Sequence, residues 1–293
     1  MTSPADPAPV PHLPATLRLG PVHLAVSTLD GSVAFYERAL GLRLHDRDGN
    51  VATLGTGGED LVVLVEAPDA APSGRHAGLY HYALLFEDRR ELARAVKRLA
   101  STRTRIEAAS DHGVLEAIYL RDPDDNGIEL YADRPRARWP VPRVPGERVE
   151  MPTIALDMQH LMRSVEREEP RAHAGAGLVV GHVHLHVGDV GQALDFYRDV
   201  LGFEVMADLG NAAFVSAGGY HHHLGLNIWL GRDVEPRPPR TAGLSEWTVL
   251  LAASGELAAV RARVAAAGLE ARAHRGGFLV REPWETAVVL RVG

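Results

Sequence analysis

The second half of this chain repeats the first, and that repeat limits the fold more than any other feature. Gly20 and Tyr36 stand as far apart as Gly181 and Tyr197, and each copy then reaches a Leu-Gly pair, at Gly41 and Gly202. The first copy reads Val22-His23-Leu24-Ala25-Val26, then Ser32-Val33-Ala34-Phe35-Tyr36. The second reads Val183-His184-Leu185-His186-Val187, then Ala193-Leu194-Asp195-Phe196-Tyr197. Alternating apolar positions followed by a short amphipathic stretch and a glycine stop predict strand, helix, turn, strand. Two more strands follow in each copy, Val51 to Leu54 with Leu61 to Val65, and Ala213 to Val215 with Leu224 to Trp229.

A second unit of the same kind follows each of these. Tyr82 to Phe86 reads as a strand and Arg90 to Leu99 as a helix with apolar spacing at Leu92, Val96 and Leu99. Ala117 to Leu120 and Gly127 to Tyr131 read as strands joined by the turn-forming run Asp122 to Gly127. Trp247 to Leu251, Leu257 to Ala267, Phe278 to Arg281 and Ala287 to Arg291 repeat that order. The expectation is an α+β chain of four βαβββ modules, two in residues 18–133 and two in 179–293. Residues 134–178 form a linker, rich in Pro and Arg at first, with one helix expected over Leu156 to Glu168. Residues 1–17 are expected to be a disordered leader.

Composition removes several function classes. The 293 residues are 46% hydrophobic and 24% charged, with a net charge of −7. A general nucleic-acid binder would carry a basic excess. No apolar run is long enough for a membrane helix, and the N-terminal stretch lacks the charge cluster and apolar core of a signal peptide. The chain has no cysteine, so it has neither disulfides nor thiolate ligands; this fits a cytoplasmic protein.

The repeats differ in their chemistry. Gly78-Leu79-Tyr80-His81 is echoed by Gly243-Leu244-Ser245-Glu246. The run from Asp122 to Glu129 is echoed by Glu282 to Val289, and Gly20-Pro21-Val22-His23 by Gly181-His182-Val183-His184. The ligand-type residues that survive are His81, Glu129 and His182. Two imidazoles and one carboxylate make an open-sided set for a redox metal. A carboxylate among Ile128, Leu130 and Tyr131 would be costly to bury without a metal or a partner. His182, His184 and His186 alternate with apolar residues, so period two puts all three on one face of a strand. A rival set, His23 with His81 and Glu129, would lie wholly in the first half. A lone strand histidine is more often structural, and a tyrosine such as Tyr119 is often packing. The tract His221-His222-His223 could be a surface loop, but its flanks are apolar and strand-like.

These segments resemble the vicinal oxygen chelate (glyoxalase/bleomycin resistance/extradiol dioxygenase) superfamily over most of the chain, and within it the catechol 2,3-dioxygenase type. That resemblance implies paired βαβββ modules forming half-open barrels around a metal. Leu79 to Leu85 is similar to the segment that carries one metal histidine, His81. Asp111-His112, Tyr119, Pro123 and Glu129 are similar to the stretch ending in the carboxylate ligand. Gly181-His182, with Asp189 and Phe196-Tyr197 behind it, resembles the segment with the other metal histidine. Gly219 to His223 resembles the paired-histidine segment, with His222 as acid–base residue. His112 and Tyr119 would then hydrogen-bond substrate oxygens. In that family the paired-histidine module ordinarily precedes the carboxylate module; here it follows. The site would thus be assembled from modules two and three, with one and four as a metal-free barrel. Contact across a dimer would serve equally.

The resemblance implies an Fe(II)-dependent, or Mn(II)-dependent, extradiol dioxygenase acting on a small aromatic diol with O2, with a homo-oligomer as an open possibility. Two other classes compete. A glyoxalase-like isomerase or lyase would want a further ligand where Val63, Leu64 and Asn227 stand. A non-catalytic, drug-sequestering binder would tend to lack the triad.

Overall fold

A computed structural model describes residues 12–144 and 146–293. Module one runs β1 (Arg18–Val26), α1 (Leu29–Phe35), β2 (Arg43–Asp48), β3 (Val51–Thr56) and β4 (Glu59–Glu66). Module two runs β5 (Gly78–Phe86), α2 (Arg89–Ser101), β6 (Ala108–Asp111), β7 (Leu115–Arg121) and β8 (Gly127–Asp133). The connecting segment adds β9 (Ile154–Ala155) and α3 (Met158–Arg163), the latter shorter than the sequence suggests. Module three runs β10 (Val179–His186), α4 (Val190–Leu194), β11 (Glu204–Asp208), β12 (Ala212–Ser216) and β13 (Leu224–Asn227). Module four runs β14 (Gly243–Leu251), α5 (Ser254–Ala266), β15 (Arg272–His274), β16 (Gly277–Arg281) and β17 (Ala287–Val292).

The expected helix signals act as they should. Asp88 caps α2 by accepting the backbone N–H groups of Arg90 and Glu91 at 2.7 and 2.9 Å. Asp189 does the same for α4 through Gln192 N–H at 2.9 Å. The turns after α1 and α4 continue as one π-helical stretch each, and both stop at a glycine in the left-handed region, Gly41 at φ +71° and Gly202 at φ +96°.

The modules pair across the repeat, not within it. One sheet has the order β15-β16-β17-β14-β1-β4-β3-β2, joining modules four and one. The other has the order β11-β12-β13-β10-β5-β8-β7-β6-β9, joining modules three and two. The two seams, β1 against β14 and β5 against β10, are both antiparallel. Each sheet therefore takes one module from each half of the chain, as its mixed parallel and antiparallel ladders show.

Two local features differ from expectation. Of the leader, residues 1–11 lie outside the described residues, but Leu13 and Leu17 are buried, and Leu13 N–H donates to Gly202 O at 2.8 Å. The two leucines cover apolar surface that a solvated leader would leave open. An acid-rich turn such as the one after β7 would ordinarily be solvated. Asp122 is instead buried, accepting from Asp124 N–H, Asn126 N–H and the Tyr36 hydroxyl at 2.9, 2.8 and 3.0 Å. It is an internal scaffold that fixes where β8 starts, and so where Glu129 falls.

Candidate metal centre

Sheet register assembles the centre. On β8, Glu129 stands opposite Tyr119 of β7 on one side and Ala83 of β5 on the other; Ala83 in turn stands opposite His182 of β10. Residues directly opposite share a face, so Tyr119, Glu129, Ala83 and His182 form one row across the sheet. Ala83 is the small member, and Glu129 and His182 reach each other above it, with Oε2 and Nε2 3.1 Å apart. His81, two residues before Ala83 and thus on the same face, brings its Nε2 to 3.0 Å from the same Oε2. One ligand atom from each of His81, Glu129 and His182 lies within 4.8 Å of the others, and all three residues are buried.

The donor set fits a metal. His81 Nε2, Glu129 Oε1 and His182 Nδ1 are buried atoms without a hydrogen-bond partner. His81 Nε2 is close to the carboxylate yet not aligned for a hydrogen bond. Orphaned buried polar atoms need an explanation, and a cation between His81 Nε2 and the Glu129 carboxylate supplies one for those two. Burial pushes the Glu129 carboxyl up, but the neighbouring His182 and His81 outweigh it and hold the group well below the usual range. Burial lowers His182. An ionised carboxylate beside a neutral imidazole is the protonation state that metal ligation requires.

His81 and Glu129 of this centre line a cavity of about 370 Å³ in the nine-stranded sheet. His112, Tyr119 and His222 all line it. The His112 ring joins Tyr119 Oη to Nε2 at 3.0 Å and Pro152 O to Nδ1 at 2.8 Å. Nδ1–H must therefore donate to the carbonyl, and Nε2 accepts the phenolic proton. Burial and the Glu129 charge raise the Tyr119 phenol well above its ordinary range. His222 packs between His182 and Phe214, tilted to the first and edge-on to the second, with ring centroids 4.2 and 5.1 Å away. Burial, reinforced by His182 and His221, pushes it well below the usual imidazole range.

The other predicted histidines have partners outside the triad, although His184 also lines the cavity. His184 and His186 share the strand face of His182, but Asn227 satisfies both, at 3.0 Å through Nδ2 and 2.7 Å through Oδ1. His23 lies on β1, in the other sheet, where its Nε2 is 3.5 Å from Glu246. Glu246 occupies the repeat position of His81, and Arg275 donates to it at 3.0 Å. Val289 and Pro21 stand where Glu129 and His182 would be. An ion pair thus fills in the eight-stranded sheet the place that the triad takes in the nine-stranded one. Sequence reasoning passed over Tyr80, Phe214, Met151 and Trp229, which line the cavity. Apolar side chains on strands read as core, and only the tertiary fold shows which of them face a void.

The family model described as the Glyoxalase/Bleomycin resistance protein/Dioxygenase superfamily matches residues 18–130 and 179–276. The catechol-2,3-dioxygenase of Bacillus subtilis (strain 168) is 40% identical over 276 residues, covering 92% of this chain and 95% of the relative. Among solved structures, a Bacillus subtilis protein superposes with a TM-score of 0.63 at 14% identity, covering 97% of this chain and 86% of that one. Glyoxalase I from Zea mays superposes with a TM-score of 0.58 at 18% identity, covering 94% and 92%. These two likenesses concern the fold.

Proposed function

Because this chain belongs to the glyoxalase/bleomycin resistance protein/dioxygenase superfamily, we propose that it is a metal-dependent extradiol dioxygenase. Its substrate would be catechol or a substituted catechol, which O2 opens beside the diol to a ring-opened semialdehyde carrying both oxygen atoms. The observation that carries this reading is the buried set His81, Glu129 and His182, of which His81 and Glu129 open onto the cavity that His222, His112 and Tyr119 also line. The 40% identical catechol-2,3-dioxygenase supports the same reaction.

His81, Glu129 and His182 would hold the metal. With two neutral donors and one anionic one, the protein leaves a divalent ion with net positive charge and open positions. When bound, Fe(II), or Mn(II) in its place, would supply the coordination that brings diol and O2 together and a path for electrons from the diol to O2. The chain's own part is positioning and proton handling. His222, buried and not a ligand, would take a proton from a substrate hydroxyl. Tyr119 and His112 form one hydrogen-bonded pair on the cavity wall, placed to hold a substrate oxygen. Phe214 and Trp229 present apolar faces suited to an aromatic ring.

Protein purified anaerobically, loaded with Fe(II) and exposed to catechol and air should consume O2 and form a yellow product absorbing in the visible. Full iron occupancy with no product across a panel of catechols would sink the reading. Turnover of an oxoaldehyde–thiol adduct with Ni(II) or Zn(II), but not Fe(II), would favour the isomerase class.

A further inference from the structure

A hydrogen-bonded chain runs behind His222 and ends at a carboxylate outside the triad. His221 is fully buried (0% exposed) and does not line the cavity that His222 lines. Its Nδ1 lies 2.8 Å from His222 Nδ1, and its Nε2 lies 2.8 Å from Asp133 Oδ1. Asp133 is the last residue of β8, and the Tyr220 hydroxyl also reaches its Oδ1, at 3.2 Å. Tyr220 in turn is 2.9 Å from the hydroxyl of Tyr131. Tyr131 fits because position 181 is glycine: a Cβ there would sit 1.8 Å from the phenolic oxygen.

The proton count along this chain is constrained. A carboxylate can only accept, so His221 carries its proton on Nε2. A neutral His221 then presents a bare Nδ1. With His221 neutral, the one proton in the contact between the two Nδ1 atoms comes from His222. His222 Nε2, on the far side of the ring, is left without one. Tilted and edge-on contacts with His182 and Phe214 hold the ring as well.

We propose that Asp133 and His221 are positioning residues that lock His222 in its Nδ1–H form, leaving Nε2 as a bare acceptor for the cavity. What that acceptor does, taking a proton from a diol, rests on the dioxygenase reading; the tautomer itself is a property of the folded chain. The arrangement explains why His221 and His222 are buried. His223, the third, is separately occupied by the Ser216 hydroxyl at 2.9 Å.

The test is long-range ¹H–¹⁵N correlation on the zinc-loaded, ¹⁵N-histidine-labelled full chain, which reads each ring nitrogen directly. Wild-type protein should show His222 protonated at Nδ1 and bare at Nε2. Asp133→Asn can donate to His221 Nε2 and so reverse the chain; His222 should then shift toward its Nε2–H form, while Asp133→Glu keeps the wild-type pattern. Ring-cleaving kcat should fall about 100-fold in Asp133→Asn with KM little changed, the size expected for a displaced base. An Nε2–H His222 in wild type, or the same tautomer in Asp133→Asn, would overturn the proposal. So would a reversed tautomer with undiminished kcat. If no catechol is cleaved at all, the dioxygenase reading fails, and the spectra still decide the tautomer.

Discussion

His81 and His182 come from opposite halves of the chain, and their Nε2 atoms approach the same oxygen, Oε2 of Glu129, at 3.0 and 3.1 Å. Three polar groups crowded into a dry space with no cation between them would be costly. The sheet nevertheless brings them together by strand pairing, with an irregularity between Val180 and His182 in the β5–β10 seam, which supports reading the cluster as a built site. Removing one ring should therefore act on metal content before it acts on the fold.

His182→Ala should lose bound iron while His23→Ala keeps it, measured as metal per protein after loading and desalting. His23 pairs with Glu246 in the other sheet and touches none of the triad. Loss of iron in His23→Ala with retention in His182→Ala would transfer the site to the first half of the chain.

Ala83 offers a subtler probe, because it is not a ligand. It stands between Glu129 and His182 in the register row and is fully buried (0% exposed). Ala83→Leu would push a branched side chain into the gap above which the two ligands meet. Metal affinity should drop about 10- to 100-fold, the size seen when ligand orientation is disturbed, although all three ligands remain. Titration with Fe(II) or Zn(II) under competition by a chelator measures it. Unchanged affinity would show that the ligands do not depend on this close approach.

Much of this centre was legible before the fold. Period two placed His182, His184 and His186 on one strand face, and the Asp122-to-Gly127 turn located β8. Which histidine joins His81 and Glu129 was not legible locally, because His23 and His182 sit in equivalent repeats. That choice is made by strand pairing, β5 with β10 and β1 with β14, a long-range property that no window of sequence contains. The pairing of Asp133 with His221 was hidden for a related reason. The histidine tract is visible in the sequence, but its contact with Asp133 joins the end of β8 to the loop before β13.

Tyr119→Phe removes the phenolic proton that satisfies His112 Nε2 at 3.0 Å. His112 keeps its Pro152 contact, so the ring should stay in place while the cavity wall loses one polar atom. One hydrogen bond of ordinary strength is worth about 1 kcal/mol, so kcat/KM for catechol should fall about 5- to 10-fold. Steady-state kinetics on the iron-loaded variant test this. No change would place the Tyr119–His112 pair outside the substrate's reach.

Acid should weaken the eight-stranded sheet through His23. Burial pushes this imidazole down to about 4, and Glu246, which favours the charged form, does not compensate. The unfolded chain protonates His23 near its ordinary 6.5. Between these two values the unfolded state therefore binds a proton that the folded state refuses. Stability is full above pH 6.5 and falls as pH drops toward 4. At pH 5 the loss from this one residue is on the order of 2 kcal/mol. His23→Gln, which cannot titrate, should lose less stability than wild type between pH 7 and pH 5 in urea unfolding of the metal-free protein. Parallel curves for the two proteins would show that His23 takes up its proton in the folded state as readily as in the unfolded one.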